Sequence, residues 1–221
     1  MYAIGHECLV PYTEMGLRNS RTFCGFDVVV IGGSAGSSHA ILEILNSLPA
    51  TFPAAIIVCQ HFTSPYLSLP RYLKEIQLKI NDRSDDAVIE RGLIYIPPRF
   101  HQMMVTNDYK INFNALLHGG VPSINLLFSS VADTFGDRAI GVVLSGGGQD
   151  CAKGVISLKR AGGKIIVQRA AASMGMPSAA LATGCVDFAL STKGIISALI
   201  SMVMMQGVAD LFRVPLPSWA H

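Results

Sequence analysis

The chain has 221 residues, of which 50% are hydrophobic and 14% charged, and its formal net charge is +2. Such a composition excludes a disordered chain, and the near-neutral balance offers no basic surface for nucleic acid. The length suits one domain whose core is large enough to hold without disulfide or metal staples.

Residues 1–25 show little periodicity and carry Gly5, Pro11, Gly16 and Gly25. They read as an irregular lead-in, without the basic flank and apolar core of a secretory signal. One domain is expected over residues 26–207, followed by a tail over 208–221 marked by Pro215 and Pro217. Within the domain, apolar β-branched runs predict strands at Val28–Ile31, Ala54–Cys59, Leu93–Ile96, Ala139–Leu144, Lys164–Val167 and Val186–Leu190. Helical patterns fall between them at Ser38–Leu48, Tyr66–Ile76, Ser123–Phe135, Lys153–Ala161, Pro177–Thr183 and Lys193–Met205. This alternation predicts an α/β fold: a doubly wound, mostly parallel sheet with helices on both faces, a three-layer sandwich. The segment 89–113 differs. Its short alternating runs, with Asn107-Asp108 as a turn, predict an antiparallel hairpin insertion at one edge of the sheet.

Ile195–Met205 is too short to span a bilayer and is broken by Ser197 and Ser201, so it reads as a core-facing helix. No membrane insertion is expected. Cys8, Cys24, Cys59, Cys151 and Cys185 are scattered, with no Cys-x-x-Cys pair. Free thiols in the cytoplasm, and no metal site, are the expectation.

The first strand runs into Gly32-Gly33-Ser34-Ala35-Gly36. The Gly-x-Ser-x-Gly spacing is that of an elbow that pushes a serine hydroxyl out at the carboxyl edge of a sheet. Glycine-serine turns also serve as plain connections or phosphate cradles. Here Gly32-x-Ser34-x-x-Ser37 lacks the dinucleotide fingerprint, and no Gly-Lys-Ser/Thr follows. A nucleophile needs a base. His61 follows the second strand and so lies on the same edge as Ser34, while His39, His101 and His118 are its competitors. Asp150 follows a third apolar strand and the triplet Gly146-Gly147-Gly148. An aspartate at that point either caps the next helix or orients the histidine. Ser34, His61 and Asp150 are therefore candidate catalytic residues. The amides of Ala35, Gly146, Gly147 and Gly148 are candidate oxyanion donors.

These residues resemble the catalytic domain of CheB-type protein-glutamate methylesterases. The resemblance runs from Val28 to Val203 and is carried by order and spacing. Its pieces are Ile31-Gly32-Gly33-Ser34-Ala35-Gly36, Gln60-His61, Ile94-Tyr95-Ile96-Pro97-Pro98 with His101, Pro122-Ser123 with Leu127-Phe128, Val143 through Asp150, Lys159 through Gly163, and Ser173-Met174 with Met176-Pro177. It implies a serine hydrolase with Ser34 as nucleophile, His61 as histidine and Asp150 as aspartate, and no cofactor. The implied substrate is a methylated chemoreceptor-like protein, de-esterified at glutamate and in some members deamidated at glutamine. A separate response-regulator or signalling partner is also implied, since 25 residues are too few for a receiver domain. An adaptor module with the same fold is the alternative. The chain departs from the pattern at Ala35, Ser37, Asn125, Gly147, Cys151 and Arg169, where Thr, Gly, Asp, Met, Gly and an acidic residue are usual.

Overall fold

The computed structural model describes residues 25–61, 76–81, 85–117 and 120–204. The expected helix Tyr66–Ile76 lies outside them except for Ile76, as do His118, Cys8, Cys24, the tail and all of the lead-in but Gly25.

The chain order is β1 (Val28–Gly33), α1 (Ser38–Ser47), β2 (Ala55–Gln60), β3 (Lys79–Asn81), β4 (Ala87–Val88), β5 (Leu93–Tyr95), β6 (His101–Val105), β7 (Lys110–Ala115), α2 (Ile124–Phe135), β8 (Ala139–Val143), α3 (Ala152–Arg160), β9 (Lys164–Gln168), α4 (Gly175–Leu181), β10 (Phe188–Leu190) and α5 (Thr192–Met204). A seven-stranded sheet runs β10-β9-β8-β1-β2-β5-β3. Every pairing in it is parallel. Its central strands β1, β2 and β8 are buried along their whole length. That is why their sequences are continuous apolar runs and not alternating ones.

Both faces are covered. On one, Ile41, Ile44 and Leu45 of α1 and Ile195 and Leu199 of α5 bury Val29, Ile31, Ile56 and Val58. On the other, Leu127, Phe128 and Val131 of α2, Val155 and Leu158 of α3 and Met176 of α4 bury Val28, Val30, Ala55 and Ile57. The three-layer sandwich read from the sequence is therefore the fold. Among the described residues no helix is long and apolar enough to cross a membrane.

The chain winds from β1 first toward β2, β5 and β3, and later to the other side through β8, β9 and β10. The order reverses at β1, so the carboxyl ends of β1 and β8 mark the switch point where open α/β sheets place ligands.

The antiparallel insertion is present, with a detail the sequence did not show. β6 and β7 form the hairpin, β4 joins as a third strand, and the order is β4-β7-β6. These strands make their own sheet, while Leu93–Tyr95 joins the parallel one. The small sheet buttresses α2. Val105 N–H donates to Ser130 Oγ at 3.0 Å and Thr134 Oγ1 donates to the Thr106 carbonyl at 3.2 Å. Gln102 of β6 grips the residue before α2, accepting from Ser123 N at 2.6 Å and donating to Ser123 O at 3.1 Å. Two residues alternating along one short strand, Met103 and Val105, feed the apolar core shared with α2.

Helices α2 and α3 approach closely at Gly154. A Cβ added there would lie 2.6 Å from Phe128 Cβ and 3.1 Å from the Asn125 backbone. Gly154→Ala should therefore lower stability by about 1–3 kcal/mol through overpacking. Urea unfolding of the variant checks this, and an unchanged midpoint would contradict the contact.

Candidate active site

The turn after β1 is held from three directions. Ser34 N–H donates to the Ser145 carbonyl at 2.8 Å. The Ser34 carbonyl accepts from Ser37 Oγ at 2.7 Å. Ser37 Oγ in turn accepts from Gln60 Nε2 at 2.9 Å, which also reaches Ser38 Oγ at 2.7 Å. Gly36 has φ +79°, and a Cβ there would meet Ser145 Oγ at 2.8 Å and Ala172 Cβ at 2.9 Å. Both the left-handed backbone and the tight approach require glycine. The turn thus presents Ser34, itself only 8% exposed, beside exposed Ala35 and Gly36.

His61 is placed by the sheet. β1 and β2 pair Gly33 with Gln60, and His61 N–H donates to the Gly33 carbonyl at 2.9 Å. Ser34 and His61 are each the next residue after that pair, so the register sets them side by side on one edge. Among the described residues no hydrogen bond joins Ser34 Oγ to the ring. Two of the competing histidines lie elsewhere: His39 is exposed on α1, and His101 Nδ1 sits 2.8 Å from the Arg99 carbonyl at the start of β6.

Asp150 does not cap its own helix, as an isolated aspartate at that point would be expected to do. Its carboxylate turns to the amino terminus of α2. Oδ2 accepts from Ile124 N at 2.7 Å. Oδ1 accepts from Ser123 Oγ at 3.0 Å, Asn125 N at 3.1 Å and Asn125 Nδ2 at 2.7 Å. Unpaired amides and the positive end of the helix dipole make such a position favourable for an anion. Oδ2 also lies 3.1 Å from His61 Nε2. The separation is that of an ion pair. The N–H direction is bent away from the oxygen, so the buried Nε2 has no well-aligned acceptor. Burial pushes the Asp150 carboxyl up. The contact with His61, the Ile124 and Asn125 amides and the Ser123 hydroxyl outweigh this and bring it down to about 2. Asp150 is therefore ionised throughout the neutral range and can only accept.

The loop after β8 supplies the remaining wall. Ser145 is fully buried and links three segments. Its Oγ donates to the Ala35 carbonyl at 2.7 Å and accepts from Ser173 N at 2.9 Å, while its own N–H donates to Gln168 Oε1 at 2.9 Å. The expectation for Gly146 as an oxyanion donor is corrected here. Its amide already donates to the Ser173 carbonyl at 3.0 Å. Gly146 is glycine for space instead, since a Cβ would fall 2.3 Å from Met176 Sδ and 2.8 Å from Ser34 Cβ. The amides of Ala35, Gly147 and Gly148 donate no hydrogen bond among the described residues. Gly147 and Gly148 also border open space.

Two cysteines lie next to this cluster. Burial, and secondarily the charge of Asp150, push the thiols of Cys59 and Cys151 up to about 12. Neither supplies a thiolate at neutral pH, so the serine has no thiol competitor here. Gln60, Ser123, Asn125 and Ser145 lie within or beside the motifs that carry the resemblance, but their roles were not readable in the chain, because each acts through contacts between distant segments.

The architecture is that of a doubly wound three-layer α/β protein with a serine, a histidine and an aspartate collected at its switch point. A family model described as CheB methylesterase matches residues 29–199. The chain belongs to the CheB methylesterase family. It is 33% identical over 196 residues to a protein-glutamate methylesterase/protein-glutamine glutaminase of Moorella thermoacetica, covering 83% of this chain and 46% of that one. It is also 33% identical to the protein-glutamate methylesterase FrzG of Myxococcus xanthus, covering 69% of this chain and 47% of that one. The chain thus spans about half the length of these relatives. The crystal structure of the Thermotoga maritima CheB methylesterase catalytic domain superposes with a TM-score of 0.72 at 28% identity, over 81% of this chain and 100% of that one.

Because the Asp150 carboxyl lies below the ordinary value of about 4, it stabilises the fold fully above pH 4. That stabilisation is lost as pH falls from about 4 toward about 2. Guanidinium unfolding between pH 5 and pH 2 should show this loss, and it should be smaller in Asp150→Asn. Identical pH slopes for the two proteins would contradict the assignment.

Proposed function

We propose that this chain is a serine esterase that hydrolyses γ-methyl esters of glutamate side chains on a methylated, chemoreceptor-like protein in the cytoplasm. The observation that carries the proposal is the pairing of His61 Nε2 with Asp150 Oδ2 at 3.1 Å beside a serine one register step away. The names of the relatives, methylesterase and glutaminase, point to the ester or amide of a glutamyl carboxyl as the substrate class.

In this reading Asp150 keeps the Nε2 proton in place and leaves the Nδ1 lone pair free to accept. The ring is turned end for end relative to the serine-protease arrangement, where Nδ1 faces the aspartate. Ser34 Oγ gives its proton to Nδ1 as it attacks the ester carbonyl, forming the tetrahedral oxyanion. This step requires side-chain rotation to bring Oγ onto the ring, and catalytic hydrogen bonds in a site without substrate are commonly long. The amides of Ala35 and Gly147 are the proposed donors to the oxyanion, with a typical worth of about 2.7–4 kcal/mol for one such donor. The intermediate collapses, the C–O bond to the methoxy group breaks, and methanol leaves with the proton from His61. Water, activated by the same nitrogen, then attacks the acyl-serine and releases the glutamate carboxylate and Ser34. The imidazolium formed at each step faces an aspartate that is already ionised.

A helical peptide bearing a γ-methyl glutamyl ester tests the reading by methanol release. Ser34→Ala should lose at least about 10³-fold in kcat with an unchanged fold, in keeping with removal of a triad member. A serine-directed fluorophosphonate should label the parent stoichiometrically at Ser34. Near-parental hydrolysis by Ser34→Ala would remove the serine from the mechanism. Absence of both labelling and hydrolysis in folded protein would leave a binding module.

A further inference from the structure

We infer that Ser145 is a positioning residue: its hydroxyl fixes the turn that carries Ser34 in one of the two forms open to it. The inference rests on the reading of Ser34 as the nucleophile.

Ser34 begins a turn closed by Ser37 N–H, which donates to the Ser34 carbonyl at 3.1 Å. The third residue of the turn, Gly36, has φ +79°, while Ala35 before it lies outside the left-handed region. That is the pattern of a type II turn. A type I turn differs from it by a flip of the central peptide, which here joins Ala35 to Gly36. Glycine takes positive and negative φ about equally readily, so residue 36 does not choose between the two forms. The Ala35 carbonyl does, because its direction reverses in the flip. In the observed form it accepts from Ser145 Oγ at 2.7 Å, and among the described residues no other group donates to it. The hydroxyl has one proton to give. Its other carbonyl neighbour, that of Ser173, lies at 3.4 Å and is the poorer acceptor. Ser173 N–H donates to the same oxygen at 2.9 Å, so a lone pair faces Ser173 and the proton faces Ala35.

Ser145 is fully buried, and its backbone is held independently of its side chain. Its N–H donates to Gln168 Oε1 at 2.9 Å, and its carbonyl accepts from Ser34 N–H at 2.8 Å. The residue therefore grips the turn on both sides of the Ser34 side chain, with its carbonyl before and its hydroxyl after. The peptide between these grips, Ser34–Ala35, is fixed by Ser37 Oγ, which donates to the Ser34 carbonyl at 2.7 Å. In a trans peptide the N–H lies opposite the carbonyl, so the Ala35 amide points away from Ser37. Releasing the Ala35 carbonyl would free the flip directly beside the nucleophile and this proposed oxyanion donor.

The test reads the turn through Ser34 itself. Ser145→Ala removes the hydroxyl and Ser145→Thr restores one. A serine-directed fluorophosphonate gives two quantities for each protein. The labelled fraction at completion counts the folded molecules, and the rate constant reports how well Ser34 is placed in them. Ser145→Ala should label to the parental fraction but about tenfold to a hundredfold more slowly, a misplacement of about 1 Å being worth up to the larger factor. With the γ-methyl glutamyl peptide, kcat should fall on the same scale. KM should stay near the parent value, since a buried Ser145 touches no substrate. Ser145→Thr should bring both rates back near those of the parent. A purely structural role predicts the opposite split: a lower labelled fraction and a lower melting temperature, with the parental rate constant in the molecules that stay folded. That split in Ser145→Ala, or a folded Ser145→Thr as slow as Ser145→Ala, would overturn the inference. If Ser145→Ala reacts at the parental rate while Ser34→Ala neither labels nor hydrolyses, this inference alone fails. If Ser34→Ala also labels and hydrolyses like the parent, the reading of the nucleophile fails.

Discussion

A carboxylate cannot stay ionised in a half-buried crevice unless something other than water solvates it, and at Asp150 that something is the first turn of a helix. The amides of Ile124 and Asn125, the Ser123 hydroxyl and the Asn125 side chain take the place of solvent. They do so more effectively than burial opposes them, so the charge is retained down to strongly acid pH. The imidazole of His61 lies 3.1 Å from this charge. The first turn of α2 therefore acts as part of the site although it contributes no group that faces the serine.

This makes sense of features that look remote from the chemistry. Gln102, on the small antiparallel sheet, holds both backbone groups of Ser123 and so sets where α2 begins. Gly154 brings α3 within reach of Asn125, and Ser145 joins the β1 turn to the loops after β8 and β9. Each is a packing or hydrogen-bonding device between segments far apart in sequence. Together they hold three strand ends at fixed separations, as a preorganised site requires.

Much of the architecture was legible in the chain. The apolar runs at Val28, Ala55 and Ala139 became the buried centre of the sheet because continuous β-branched sequence suits strands covered on both faces. Short strands were harder. Lys79–Asn81 and Ala87–Val88 carry too few residues for a period, and their pairing with β5 and β7 comes from tertiary context. Of the site, the serine turn and the histidine after β2 were visible from their place at strand ends. The direction of Asp150 was not, since a residue opening a helix normally caps that helix. Its partners on α2 outcompete the amides of α3. Nor could the sequence tell that Gly146 has its amide engaged by Ser173 while Gly147 does not, because a run of glycines carries no side-chain signal to separate them.

The central claim is that Asp150 holds the proton of His61 on Nε2 and leaves Nδ1 as the base. Side-chain ¹⁵N and ¹H NMR of imidazole-labelled protein at neutral pH reads this directly. The account predicts the Nε2–H tautomer for His61, with a slowly exchanging proton whose resonance is lost or strongly shifted in Asp150→Asn. An Nδ1–H tautomer whose spectrum is the same in Asp150→Asn would contradict it.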